Sequence, residues 1–360
     1  MDISLLRRNR SIMFFKMFIC MILITYVIPF YHSSAFAQST TTRLDSKSQQ
    51  FMESIAKKYD IPWTQLAAVA QYEFTRTKKN QPFQAHATEL WNGMLAPLEH
   101  TSSIIAHAFF GRAMDGDRDG IAHFENQADQ LAALATELRA FGSREEDFWI
   151  AIWEKYQSAR SVERIIQFER LLREIPIDQL SKKHFPIPVN SDLVYKDTWG
   201  NARGWGGRRS HEGTDLFAHH GVPVYSTCYG VVEMVGWNIY GGWRVGIRDI
   251  HNVYHYFAHL SGFAKDLRPH QIVKPGQVIA WVGSSGYGKP GTSGKFPPHL
   301  HFGMYRDNGE QDWAFNPYPS LRRWEAEVRA ARALRRQSLR RTMAQPFLPL
   351  DSLVPLEKAQ

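Results

Sequence analysis

Apolar residues recur along this chain with two different periods, and the change between them divides it. In "IPWTQLAAVAQYEFTR", Pro62 opens the segment and Leu66, Val69, Ala70 and Glu73 follow at i, i+3, i+4 and i+7, the spacing of one helix face. The segment "QLAALATELRAF" reads as a further helix. From about residue 183 the rhythm shortens. "VVEMVGW", "WRVGIRDI", "YHYFAHL" and "QVIAWVG" are short, β-branched or aromatic, and separated by glycine turns, which predicts antiparallel strands in two sheets beside a groove. Beyond residue 320, "SLRRWEAEVRAARALRRQSLRRTM" reads as a basic helix with Trp324, Val328, Ala331 and Leu334 near one face. The tail "AQPFLPLDSLVPLEKAQ" is proline-broken and extended. The expected class is therefore α+β: an all-helical domain over 43–178, an antiparallel β domain over 183–320, and a basic helix with its tail over 321–360.

The N-terminus changes the compartment. Arg7, Arg8, Arg10 and Lys16 precede the apolar run "MFICMILITYVIPF", and "AFA" ending at Ala37 supplies small residues for cleavage, so 1–37 reads as a secretory signal peptide. The run is short for a membrane helix, and no stable span is expected once the signal is removed. Cys20 then leaves with the signal and Cys228 remains alone, so the exported chain must rely on its core rather than on a disulfide. The whole chain carries a formal charge of +8. A basic exported protein suits an anionic wall polymer, and no nucleic-acid motif accompanies the charge.

The candidate chemistry lies in the strand-rich half. In "FPPHLHFGMY", alternation puts His299 and His301 on one face and Leu300 and Phe302 on the other. "SHEGTDLFAHHGVPVYS" adds His211 and Asp215, with Gly213 between them favouring extended or turning backbone. No HExxH occurs, which excludes the helical two-histidine site. His211, Asp215 and His301 together would make a His2Asp set with a fourth position open, the pattern of catalytic zinc. In "VYHYFAHLSG", alternation groups His255, Phe257 and His259 on one face, and His259 is expected to end its strand over a cleft. His219, His220, His251, His255 and His270 read as surface groups or as partners of a ligand's other ring nitrogen. The glycine- and arginine-rich "RGWGGRRSHEG" reads equally as a loop overhanging the groove or as a mobile surface loop.

The motifs "HEGTD", "GVPV", "FAHLS" and "HLHFG", in that order over about 183–320, resemble the lysostaphin-type zinc metallopeptidases of bacterial cell walls. That resemblance implies zinc held by His211, Asp215 and His301, with His259 and His299 as the catalytic histidines. It implies peptidoglycan stem or cross-bridge peptides as substrate, without saying which histidine takes the proton. Peptidases of this kind joined to a helical domain resemble the sporulation-associated enzymes that cut between L-Ala and D-Glu, which implies action in the cell wall or spore envelope. A non-catalytic wall-binding module is the alternative.

In the helical domain, "MDGDRDGIAHFENQADQLAALATEL" sets Asp115, Asp117 and Asp119 at alternate positions, then Gly120, with Asn126 at the position where a calcium hand has glutamate. With Asp129 completing the set, the loop resembles the calcium site of lysozyme-like lytic transglycosylases. Glu73, on an apolar helix face, would in that setting be a general acid for glycan cleavage, making the chain bifunctional. Phe74 stands where that family usually has serine. The alternatives are a solvated acidic loop and a helix-end glutamate paired with Arg76.

Overall fold

The computed structural model describes residues 45–76, 100–102, 114–123, 126–204, 208–307 and 309–344. The expected signal peptide at 1–37 and the tail beyond residue 344 lie outside them. Helix α1 (Ser46–Lys58) begins with a reciprocal cap, in which the Asp45 carboxylate accepts the Ser48 amide at 2.9 Å and the Ser48 hydroxyl accepts the Asp45 amide at 3.0 Å. α2 (Trp63–Arg76) was expected to bury one face. Instead it is buried all round from Leu66 to Glu73, because the other helices enclose it. Those are α1, α3 (Gln127–Arg139) and α5 (Ala159–Glu174), with α4 (Glu145–Tyr156) packed on the last two. Strands β1 (His100–Ser102) and β2 (Ile121–His123) pair antiparallel as a small ribbon.

The second half is built from β3 (Val194–Tyr195), β4 (Ala202–Arg203), β5 (Arg209–Ser210), β6 (Thr214–Phe217), β7 (Pro223–Tyr225), β8 (Gly230–Asn238) and β9 (Gly242–Asp249). They are followed by β10 (Val253–Phe263), β11 (Ile272–Val273), β12 (Val278–Val282), β13 (His299–Asp307) and β14 (Asp312–Phe315). All pairings are antiparallel, as expected. Instead of the two-sheet fold expected, ten strands form one sheet, ordered β11-β8-β9-β10-β13-β6-β3, that branches at β10 and carries β14 on β13, and β4 and β5 pair as a separate ribbon. The branch has a local cause: the β10 register shifts between Phe257 and Leu260 against β9, and again between Leu260 and Gly262 against β12. Its first half therefore pairs with β9 and β13, while its end takes β12 and, beyond it, β7.

Phe257, Leu300 and Phe302 form the core beneath the sheet with Leu321 and Trp324 of helix α6 (Tyr318–Ala344). Only the first turns of α6 dock. Every residue from Ala331 to Thr342 is exposed, Leu334 included, so the expected apolar face stops at Val328. Among the described residues no helix is long and apolar enough to cross a membrane.

Among the described residues, helices and sheet belong to one compact unit. The helical core extends onto Val231 and Ile250, and the Gln71 amide donates to the Ile250 carbonyl at 2.9 Å. Arg164 reaches from α5 to Glu233 at 2.6 Å and to Asp307 at 3.1 Å, and Arg160 reaches Asp307 and Asp312 at 3.4 Å each.

Candidate active site

Strand register assembles the site. β13 lies antiparallel to β6 with His301 opposite Asp215, so the two side chains are cross-strand neighbours. Leu300 and Phe302 point into the core, leaving His299 and His301 on the cleft side, as alternation predicts. His211, just before β6, is pinned by backbone bonds: its amide donates to Asn201 and its carbonyl accepts from Gly200. Gly213 lets the chain pass under His301, since a Cβ there would sit 2.5 Å from the imidazole Cε1.

The result is a tight set of donor atoms. His301 Nδ1 lies 3.0 Å from Asp215 Oδ1 and 3.0 Å from His211 Nε2, and His211 Nε2 lies 3.1 Å from that same oxygen. Tetrahedral zinc with bonds of about 2.0–2.1 Å has ligand-to-ligand edges of roughly 3.3 Å, so the set fits zinc in spacing as well as in donor type. His211 Nδ1 donates to the Thr198 carbonyl at 2.8 Å, which fixes its proton there and leaves the Nε2 lone pair facing the cluster. Burial works against the Asp215 charge, but the His211 and His301 imidazoles packed against it outweigh it and hold the carboxyl well below the usual range. Arg203 of β4 also pairs with Asp215.

His259 reaches the cleft by a route that alternation does not predict. It neither ends its strand nor shares a face with the buried His255 and Phe257. At φ +62° it occupies the β10 bulge, which turns it onto the cleft side with Tyr256 and Ala258. Its Nδ1 donates to the Ser285 carbonyl at 2.8 Å, and His299 Nδ1 donates likewise to Pro297 at 2.8 Å. Both rings thus carry their proton on Nδ1 and keep a lone pair on Nε2. Their centroids are 4.9 Å apart. Burial, reinforced by the neighbouring imidazoles, pushes His259 down to about 3.

The cleft, of about 550 Å³, is also walled by Arg203, Arg209, Tyr240, Tyr287 and Phe296. Residues 203–204 and 209–212 of the arginine-rich segment therefore border the groove. Its two lining arginines, with Thr198 and Ser285, were not singled out from the sequence, because their roles depend on contacts between distant segments.

Three other predicted features lie elsewhere. His255 is neither a surface group nor a partner of the cluster: it is buried beneath the sheet between Asp249, at 3.2 Å, and Thr227, at 2.8 Å. Glu73 is buried on α2, accepting a bond from the Tyr156 hydroxyl and lying 3.7 Å from Arg76. Oxygens of Asp115, Asp117 and Asp129 converge within 4.8 Å, whereas Asp119 caps the Ile121 amide. Asp129, pushed up to about 6 by burial, accepts the amides of Gly116 and His123.

Residues 209–316 match the family model described as Peptidase family M23. The L-Ala–D-Glu endopeptidase of Bacillus subtilis (strain 168) is 47% identical over 304 residues, covering 82% of this chain and 93% of that protein. The chain belongs to peptidase family M23. The similarity to the Bacillus protein extends far outside the M23 match and so takes in helical residues as well as the sheet. The glycyl-glycine endopeptidase ALE-1 of Staphylococcus capitis is 33% identical over 115 residues, spanning 29% of its own length. A solved catalytic domain of lysostaphin from Staphylococcus simulans is 29% identical, covers 37% of this chain and 93% of its own, and superposes with a TM-score of 0.30. This M23 protein is a zinc-dependent endopeptidase acting on peptide bonds of bacterial peptidoglycan. The non-catalytic reading is thereby set aside.

Proposed function

We propose that the chain cleaves the L-Ala–D-Glu bond of peptidoglycan stem peptides, with His211, Asp215 and His301 holding zinc and His259 and His299 moving protons. The observation that carries the ligand assignment is the convergence of three donor atoms within 3.1 Å of one another. The bond assignment draws support from the name of the 47% identical relative. A zinc ion held by this set supplies a Lewis acid that polarises the scissile carbonyl and lowers the pKa of water to about 7. Asp215 stays ionised and His211 presents its bare Nε2. His259 and His299, with Nδ1 committed to carbonyl oxygens, each offer Nε2 to a water proton. The proton taken there is the one the leaving amine needs when the C–N bond breaks. Glu73 has no part in this reading, because its carboxyl is buried against Tyr156.

Digestion of purified peptidoglycan by wild type and His301→Ala, with fragments identified by mass spectrometry, tests the proposal. New D-Glu amino termini that vanish in the variant are expected; termini at another bond would refute the assignment.

Finer parts of the reading are export to the wall or spore envelope, attraction of the basic α6 to anionic wall polymers, and calcium at Asp115, Asp117 and Asp129. For calcium, the expected result is a higher melting temperature on adding the ion, abolished in Asp129→Asn.

A further inference from the structure

We infer that Arg209 reads the free carboxylate of the D-Glu residue that follows the scissile bond; the inference rests on the L-Ala–D-Glu assignment above. A glutamate within a peptide carries two carboxyl groups, and the chain continues through only one. The other is ionised at neutral pH and sits a few bonds from the nitrogen that leaves. An enzyme cutting at this residue must hold that charge or leave it in water, and a planar guanidinium matches it with paired N–H donors.

Among the described residues, Arg203 and Arg209 line the cleft. Arg203 is engaged with Asp215, on the far side of that carboxylate from the imidazoles. Arg209 stands opposite Arg203 in the β4–β5 hairpin, two residues before His211. Its guanidinium packs on aromatic surface, 5.9 Å from the centre of the Tyr240 ring and 5.7 Å from that of Tyr287, and it donates to the Tyr287 hydroxyl at 2.7 Å. The Tyr287 ring in turn lies nearly parallel to that of His259, 19° away from coplanar with centroids 6.1 Å apart. A fixed, exposed positive charge is therefore held one aromatic ring from an imidazole proposed to move the proton. Tyr287 keeps this place at φ +55°, a conformation that costs a non-glycine residue energy, so neighbouring contacts must hold the backbone there. Packing restricts the Arg209 rotamers before substrate arrives, which reduces the entropy lost on binding.

The competing role is a brace that only positions Tyr287. A brace would change turnover of every substrate alike, whereas a carboxylate reader changes the response to substrate charge. The test uses the zinc-loaded protein and two synthetic stem peptides, one with the D-Glu carboxylate and one with that group converted to a carboxamide. Wild type is expected to favour the carboxylate in kcat/KM by roughly tenfold to a hundredfold, chiefly through KM. Arg209→Gln is expected to bring the ratio to within about threefold of unity, with Arg209→Lys intermediate because it keeps charge but loses the fork. Thermal melts establish that the variants are folded, and the Lys variant carries the test if the Gln variant is not. Equal wild-type rates on the two peptides, or an unchanged ratio in a folded variant, would overturn the inference while leaving the bond assignment intact. If wild type cuts neither peptide at L-Ala–D-Glu yet releases other termini from peptidoglycan, the bond assignment fails and the inference falls with it.

Discussion

Replacing Gly213 with alanine adds a single methyl group at the most crowded point of the donor cluster. The new Cβ would stand 2.5 Å from His301 Cε1, 2.8 Å from His301 Nε2 and 2.8 Å from the Phe302 carbonyl oxygen. Ordinary carbon contacts lie near 3.5–4.0 Å, so something must retreat by about 1 Å. Phe302 is locked opposite Thr214 in the sheet, which leaves the His301 ring as the group that yields. That ring holds Nδ1 3.0 Å from both Asp215 and His211, and a shift of this size takes it out of the cluster. Zinc affinity should fall by roughly 10–100-fold, the usual cost of disturbing groups that orient a ligand. Turnover at saturating zinc should fall by about a further hundredfold. Overpacking should cost only about 1–3 kcal/mol of stability, so the variant is expected to remain folded. Gly262→Ala, on β10 with no atom within 4 Å of its added Cβ, is the matched control. Competition with a fluorescent zinc chelator measures affinity, and hydrolysis of a stem peptide measures activity. A Gly213→Ala protein that binds zinc within about threefold of wild type would refute the geometry argued for His301.

Asp307→Ala removes a buried carboxylate that Arg160 and Arg164 both reach, and urea unfolding should show a loss of about 3–5 kcal/mol. Burial opposes charge on His255, yet adjoining Cys228 and Asp249 carry it up to about 9. A folded-state value above the ordinary one near 6.5 gives stability that is complete below that pH and lost as pH rises through 9. The loss, on the order of 3 kcal/mol, should show in urea midpoints measured at saturating zinc and be absent in His255→Gln.

Where one local rule governs geometry, the sequence foretold the structure. The spacing of His299 and His301 needs only strand alternation, and the core positions of Leu300 and Phe302 follow from the same rule. Bringing Asp215 opposite His301 depends on pairing between strands far apart in sequence, which motif order suggested and alternation alone does not supply. His259 shows how the rule fails: one bulge, with φ +62°, moved it to the other face. The sheet branches at that bulge rather than dividing into two. The all-round burial of α2 and the docking of Arg164 onto Asp307 were equally hidden, since both depend on which helix meets which strand. Charge on α6 was legible, but the point at which it leaves the domain was not: nothing in its period separates docked Trp324 from exposed Leu334.

The most direct measurement is zinc content beside peptide cleavage in one preparation of wild type and His301→Ala. One tightly held zinc per wild-type chain, with release of new amino termini from peptidoglycan and loss of both in the variant, is the predicted result. A wild-type protein that cuts the wall peptide while free of zinc, or a His301→Ala protein that keeps both metal and activity, would contradict it.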